Sequence, residues 1–206
     1  MIGIIDYGIG NIQAFLNCFK RMNILAKSIN KPEDFSLVTH LILPGVGHFD
    51  NAMKKINKSG LLSELEKLVI KKKIPLLGIC VGMQMLGKYS DEGSSKGLGW
   101  LPGFSVDFRK HNNSKNLPLP HMGWNTINIS KKSQLFTNRL DWNAQFYFLH
   151  SFYFEAEDKN NVIATSYYGH DFASFVSFEN IYGIQCHPEK SHHWGAEILK
   201  NFSESS

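Results

Sequence analysis

The stretch with the strongest hold on the possible folds of this chain is Ile74-Pro-Leu-Leu-Gly-Ile-Cys80-Val-Gly-Met-Gln84-Met-Leu86. The apolar run after Pro75 predicts a buried strand, and the run from Gly82 onward predicts the start of a helix. Between them stands Gly78-Ile79-Cys80-Val81-Gly82, a G-x-C-x-G pattern. Glycines on both sides allow a sharp strand-to-helix turn that would hold the middle side chain strained and exposed. A thiol there lies near a helix N-terminus, whose free N–H groups favour the thiolate. The N–H of Val81 is then free to donate to an oxyanion. A cysteine taken alone reads as a small buried hydrophobe. Between two glycines at such a junction, Cys80 reads as a nucleophile.

The chain ahead of this turn alternates strand and helix. Residues 1–5 predict a buried first strand, and Asn11 a helix N-cap. Ile12, Phe15, Leu16, Phe19 and Met22 follow at helical spacing and give one apolar face. Gly8-x-Gly10 after a strand has half of a dinucleotide fingerprint, but the third glycine and the later acidic residue are missing. Residues 24–29 and 41–43 predict two further strands. The last of these runs into Pro44-Gly45-Val46-Gly47, which reads either as a plain turn or as a peptide between Gly45 and Val46 that could present an N–H to a developing negative charge. Phe49, Met53 and Ile56 mark one following helix, and Leu62, Leu65, Leu68 and Val69 another. This β-α-β-α-β-α-β-α rhythm predicts an α/β fold with a mostly parallel central sheet flanked by helices. Chemistry in such sheets collects at the carboxyl ends of the strands, where residues 44–47 and Cys80 fall.

After about residue 90 the rhythm changes. Glycines, serines and Pro102 mark loops, and the later runs are aromatic and β-branched, at 104–108, 124–129, 145–154, 162–168, 172–178 and 181–187. Short polar turns between them predict hairpins and antiparallel strands added to the sheet. Residues 194–202 predict a closing helix. With no repeat and no low-complexity linker, residues 1–206 read as a single domain. A net charge of +4 with scattered lysines makes no demand for nucleic acid. Cys18, Cys80 and Cys186 are odd in number and far apart, which argues against a disulfide framework. No basic segment precedes the first strand, and the longest apolar stretch is too short to span a membrane, so the chain is expected in the cytoplasm.

A thiol nucleophile needs a base, and the base an orienting partner. Among nine histidines, His187 stands out. It ends the apolar run Ile184-Gln185-Cys186-His187, Pro188 then turns the chain, and Glu189 lies two residues on. That spacing allows imidazole and carboxylate to lie side by side, as in a triad. Two bland readings compete. His187 could be a satisfied structural histidine. With His192, His193 and Glu189 it could also bind metal, although the spacing fits no common zinc pattern.

Gly78-Ile-Cys-Val-Gly-Met-Gln84, followed far downstream by Gln185-Cys-His-Pro-Glu189-Lys190-Ser191, resembles the class I, triad-type glutamine amidotransferases. A narrower resemblance is to glutaminase subunits of imidazole glycerol-phosphate synthase in histidine biosynthesis. It is carried by Ile5-Asp-Tyr-Gly-Ile-Gly-Asn11, Leu43-Pro-Gly-Val-Gly47, Gly97-Leu-Gly-Trp-Leu-Pro-Gly103, Pro120-His-Met-Gly-Trp-Asn125 and Phe146-Tyr-Phe-Leu-His-Ser151. The resemblance implies a flavodoxin-like class I amidotransferase fold, and no metal or organic cofactor. It makes Cys80 the nucleophile, His187 the general base and acid, and Glu189 its orienter. It gives the oxyanion to the N–H groups of Val81 and Val46, the latter after the peptide between Gly45 and Val46 reorients, and counts Gly45 and Gly47 among the substrate-binding residues. Gln84 and Glu92 would hold glutamine, with backbone at Ser151 and Phe152 on its carboxylate. Asn11, Trp124, Tyr147 and Lys190 would face a (β/α)₈-barrel cyclase, forming a heterodimer in which ammonia passes to the barrel.

Two features depart from the family's pattern. Cys186 stands where the family usually has Phe. The run Ser191-His192-His193-Trp194-Gly195 is bulkier and more basic, closer to paralogues that supply ammonia for amidino sugars of surface polysaccharide. A catalytically silent partner subunit and a cysteine peptidase on a similar sheet are the readings from other classes. The intact set of Cys80, His187 and Glu189 speaks against the first, and Gln84 and Glu92 against the second.

Overall fold

Unbroken apolar runs make strands that are buried on both faces, and the first half of the chain is built on them. The computed structural model describes residues 1–136, 140 and 143–205. In it β1 (Ile2–Ile5) is wholly buried. Asn11 caps α1 (Ile12–Arg21) by accepting from the Ala14 N–H at 3.3 Å, and Phe15 and Phe19 sink into the core. β2 (Ala26–Ile29), β3 (His40–Gly45) and β4 (Leu76–Cys80) run parallel with β1 in the order β2-β1-β3-β4. α2 (Phe49–Lys58), α3 (Leu62–Glu66) and a π-helical turn at Lys67–Lys71 join β3 to β4. One expected helix is absent: β2 and β3 are joined by the single 3₁₀ turn Pro32–Phe35. Pro32 starts that turn, and Leu37 stops any continuation with a left-handed φ of 63°.

α4 (Val81–Leu86) follows β4 directly. The later strands are β5 (Gly103–Asp107), β6 (His121–Thr126), β7 (Asn128–Ile129), β8 (Gln145–His150) and β9 (Phe152–Ala156). β10 (Val162–Tyr167), β11 (Asp171–Phe178), β12 (Ile181–Ile184) and α5 (His192–Ser203) complete the chain. Among the described residues the main sheet has ten strands and continues β4-β12-β11-β10-β7, with β9 on β11 and β5 on β9. The architecture is the expected α/β one, parallel through β12 and antiparallel beyond it.

Three strand expectations change. β12 is antiparallel to β11 but parallel to β4, with Ile184 opposite Ile79. β6 and β8 form a separate two-stranded ribbon instead of joining the main sheet. The apolar run 145–154 breaks at Ser151, because β8 pairs with β6 whereas β9 pairs with β5 and β11. No glycine or proline marks that break, so periodicity passes straight through it.

Candidate active site

Cys80 is the last residue of β4 and caps α4, with φ 54° and ψ −115°. Holding a non-glycine residue there costs about 1–3 kcal/mol, which the surrounding packing must offset. The strain therefore sits on the cysteine and not on its glycines, since neither Gly78 nor Gly82 has a positive φ. These glycines answer a need for room. A Cβ on Gly82 would lie 1.9 Å from the Leu43 carbonyl oxygen, and one on Gly45 would lie 2.3 Å from the Gly82 nitrogen. The start of α4 thus rests on the end of β3. Cys80 is also 3% exposed, buried where an exposed thiol was expected. Its Sγ bonds to the Leu149 carbonyl at 3.8 Å and accepts from Gln185 Nε2 at 3.7 Å.

The parallel register of β12 on β4 carries the chain's next residues, through His187, to the same end of the sheet. The His187 backbone N–H donates to the Tyr147 carbonyl at 2.8 Å. Ser191 Oγ donates to the His187 carbonyl at 2.6 Å and accepts from the Tyr147 N–H at 3.0 Å, so β8 clamps the turn. His187 Nδ1 lies 2.9 Å from Glu189 Oε1. A carboxylate accepts, so Nδ1 carries the hydrogen and Nε2 is left for chemistry. Burial alone would push this imidazole down. Its interactions with Cys80 and Glu189 outweigh that and raise it to about 10. Cys186 lies wholly buried alongside. Burial, then the charge of Glu189, pushes its thiol well up, so it remains a neutral packing group.

A cavity of about 540 Å³ opens over Cys80. It is lined by Cys80, His187, Val46, Gly47 and Val81, and on its other walls by Gln84, Glu92, Ser151 and Phe152. Lys190 reaches it as well. Two expected site residues stay behind the wall. Gly45 packs under Gly82, and Glu189 sits behind His187 with its side chain 3% exposed. Gln84 Nε2 is spent on the Phe152 carbonyl at 3.2 Å and Gln185 Oε1 at 3.1 Å, which leaves its own Oε1 for a ligand. Glu92 Oε2 accepts from the Phe49 N–H at 2.8 Å, tying the cavity wall to the start of α2.

Sequence reasoning missed four contributors. Leu149 and His150 enter the cavity from β8, and Gln185 joins Gln84 to the sulfur. Tyr7 donates through its hydroxyl to the Pro44 carbonyl at 2.8 Å, fixing the residue before Gly45. Gln185 was legible in principle, since it directly precedes Cys186 and His187. Of the expected partner-facing residues, Trp124 and Tyr147 oppose each other on the ribbon, their rings 6.0 Å apart. Lys190 Nζ lies 5.5 Å from the Tyr147 ring centre, and His192 stacks on Trp124 at 5.0 Å. Asn11 is exposed at the start of α1, a helix that packs against α5 and the Pro188–Lys190 turn.

This sheet order, with a cysteine at the end of β4 and a histidine–glutamate pair delivered by β12, defines a class of enzyme. Residues 3–205 match the family described as glutamine amidotransferase class-I, and the chain belongs to that family. A relative from Bdellovibrio bacteriovorus, the imidazole glycerol phosphate synthase subunit HisH, is 50% identical and covers 99% of this chain and 100% of its own. The subunit of the same name from Leptospira borgpetersenii is 47% identical, covering 98% of this chain and 99% of its own. A crystal structure described as a glutamine amidotransferase superposes with a TM-score of 0.75 at 20% identity, over 98% of this chain and 97% of that one. At that identity the likeness speaks for the fold. Among the described residues no helix is long and apolar enough to cross a membrane, and Cys18, Cys80 and Cys186 are all free.

Proposed function

We propose that this chain is the glutaminase subunit of an imidazole glycerol-phosphate synthase. It hydrolyses the side-chain amide of glutamine and passes ammonia to a (β/α)₈-barrel cyclase subunit for histidine biosynthesis. The observation that carries the chemistry is the meeting of Cys80, strained at the end of β4, with the bonded pair of His187 and Glu189. The near full-length relatives named HisH support the pathway.

The thiolate of Cys80 attacks the amide carbon, and the oxyanion settles on the N–H groups of Val81 and Val46. The His187 imidazolium gives its Nε2 proton to the departing nitrogen, which leaves as ammonia from a γ-glutamyl thioester. Neutral His187 then takes a proton from water as the water attacks the thioester, releasing glutamate and restoring the pair. Glu189 holds the ring by Nδ1 and stabilises each imidazolium.

The test is a coupled assay of the purified chain with its barrel subunit, measuring glutamate release and ammonia incorporation. Stoichiometric glutamate and imidazole glycerol phosphate support the proposal. Peptide cleavage, or glutamine turnover that never reaches the barrel's product, refutes it.

A further inference from the structure

The ribbon of β6 and β8 carries two cross-strand pairs with different surroundings. Trp124 and Tyr147 lie on the expected docking face, whereas His121 and His150 are buried and opposite each other at the cavity end. The His121 Nδ1 and His150 Nε2 are 3.0 Å apart. Their other partners leave a single order of protons. His150 Nδ1 meets the Phe152 carbonyl at 2.9 Å, and a carbonyl only accepts, so this nitrogen holds the hydrogen. In a neutral ring His150 Nε2 then accepts, and His121 Nδ1 donates. His121 Nε2 accepts in turn from Asn125 Nδ2 at 3.3 Å, whose second hydrogen goes to the Tyr167 carbonyl at 2.9 Å. Burial keeps both rings neutral, holding His121 down at about 4 and His150 at about 3. An extra proton on either ring would set donor against donor.

The line of bonds does not stop at Phe152. Its carbonyl also accepts from Gln84 Nε2 at 3.2 Å, and Gln84 donates to Gln185 Oε1 at 3.1 Å. Gln185 Nε2 ends the line at Cys80 Sγ, 3.7 Å away. Both lone pairs of the Phe152 carbonyl are therefore used, one by the histidine pair and one by the wall of the cavity. The corner at Ser151 and Phe152, where β8 turns into β9, is pinned from both sides.

We infer that His121 and His150 are positioning residues for the amino-acid end of glutamine. As an ordered, neutral pair they hold the corner at Ser151 and Phe152 at the depth where its backbone meets the substrate carboxylate. This rests on the glutaminase reading above. Neither ring exchanges a proton with substrate. Because the same ribbon presents Trp124 and Tyr147, a partner that displaces β6 displaces the corner as well. Uniform binding of this kind sets KM and leaves kcat nearly untouched.

The test uses the complex with its barrel subunit and two substrates, glutamine and its α-carboxamide, which lacks the carboxylate. His121→Leu should lower kcat/KM for glutamine by at least ~10-fold, mainly through KM, and that for the α-carboxamide by less than about threefold. His121→Asn, which retains a donor at the Nδ1 position, should stay within about threefold of the unaltered chain on both. Equal losses on the two substrates, an unchanged KM, or no rescue by asparagine would overturn the inference. If His121→Leu does not fold, Asn125→Leu leaves both histidines in place, removes the donor to His121 along with the bond to the Tyr167 carbonyl, and should raise KM for glutamine about 2–5-fold; an unchanged KM there overturns it too. Failure of the unaltered complex to turn over glutamine would instead remove the underlying glutaminase reading.

Discussion

His187 Nδ1 and Glu189 Oε1 are 2.9 Å apart, with both side chains 3% exposed. A bond between an imidazole and a carboxylate so far from water does two jobs. It fixes which nitrogen faces Cys80, and it favours the charged ring. Together with the interaction with Cys80 it outweighs burial and raises the imidazole from 6.5 to about 10.

This shift sets an expected pH profile. The folded state holds a proton that the unfolded chain releases near 6.5, so the stability it confers is complete below that pH. That stability is lost as pH rises toward about 10, and glutaminase activity should fall over its final approach. Glu189→Gln removes one of the raising influences, so the alkaline limb of the kcat profile should move to lower pH. The same variant should lower kcat by on the order of 10²-fold or more with little change in KM, because the carboxylate acts on the imidazolium as it forms. A rise in KM alone would make Glu189 a binding residue.

Cys80→Ala removes the proposed nucleophile from a site already shaped for a small side chain. Turnover should drop at least ~10³-fold while the fold remains. Alanine is no better suited to φ 54° than cysteine, so thermal stability should change little. Near-normal turnover by the folded variant would end the covalent mechanism.

Gly82→Ala tests the packing of α4 on β3. The added methyl would lie 1.9 Å from the Leu43 carbonyl, an overlap that only backbone movement can relieve. Such overpacking costs about 1–3 kcal/mol, and chains of this size lose about 2–4 °C in Tm for each kcal/mol. Calorimetry should show a lower Tm, and turnover should fall with it because Val81 moves. An unchanged Tm would mean that this junction is looser than its geometry states.

The isolated chain should be a slow glutaminase. The Val46 N–H lies on an exposed loop between Gly45 and Gly47, where Gly47 has φ +82° and an added Cβ would meet nothing within 4 Å. That freedom allows the peptide two orientations, and only a binding event that distinguishes them can bias it. Docking of the barrel on the face of Trp124 and Tyr147 is proposed as that event. Loss of one oxyanion donor is worth ~10²–10³-fold in kcat, so the barrel with its acceptor ligand should accelerate glutamine hydrolysis by about that factor. Equal rates with and without the barrel would leave a constitutive glutaminase.

Local pattern alone determined a good deal of this protein. The buried strand before Cys80, the cap at Asn11, the amphipathic face of α1 and the turn after His187 each depend on residues within a few positions of one another. Periodicity and turn chemistry report such near neighbours directly. What the tertiary structure decided is who meets whom across the chain. Ile79 and Ile184 became opposite each other only through parallel pairing, which put His187 beside Cys80 instead of at the far end of an antiparallel strand. Ser151 became a corner because β8 and β9 were claimed by different strands, although no glycine or proline interrupts the run through it. Gly78 and Gly82 looked like hinges and serve as clearances, since the backbone they must admit comes from β3 and α4. In the line of bonds from Asn125 through His121 and His150 to Phe152, the step between His121 and His150 spans 29 residues and has no sign in local spacing. Register between distant strands is set by the burial of the whole sheet at once, and no short window of residues contains that information.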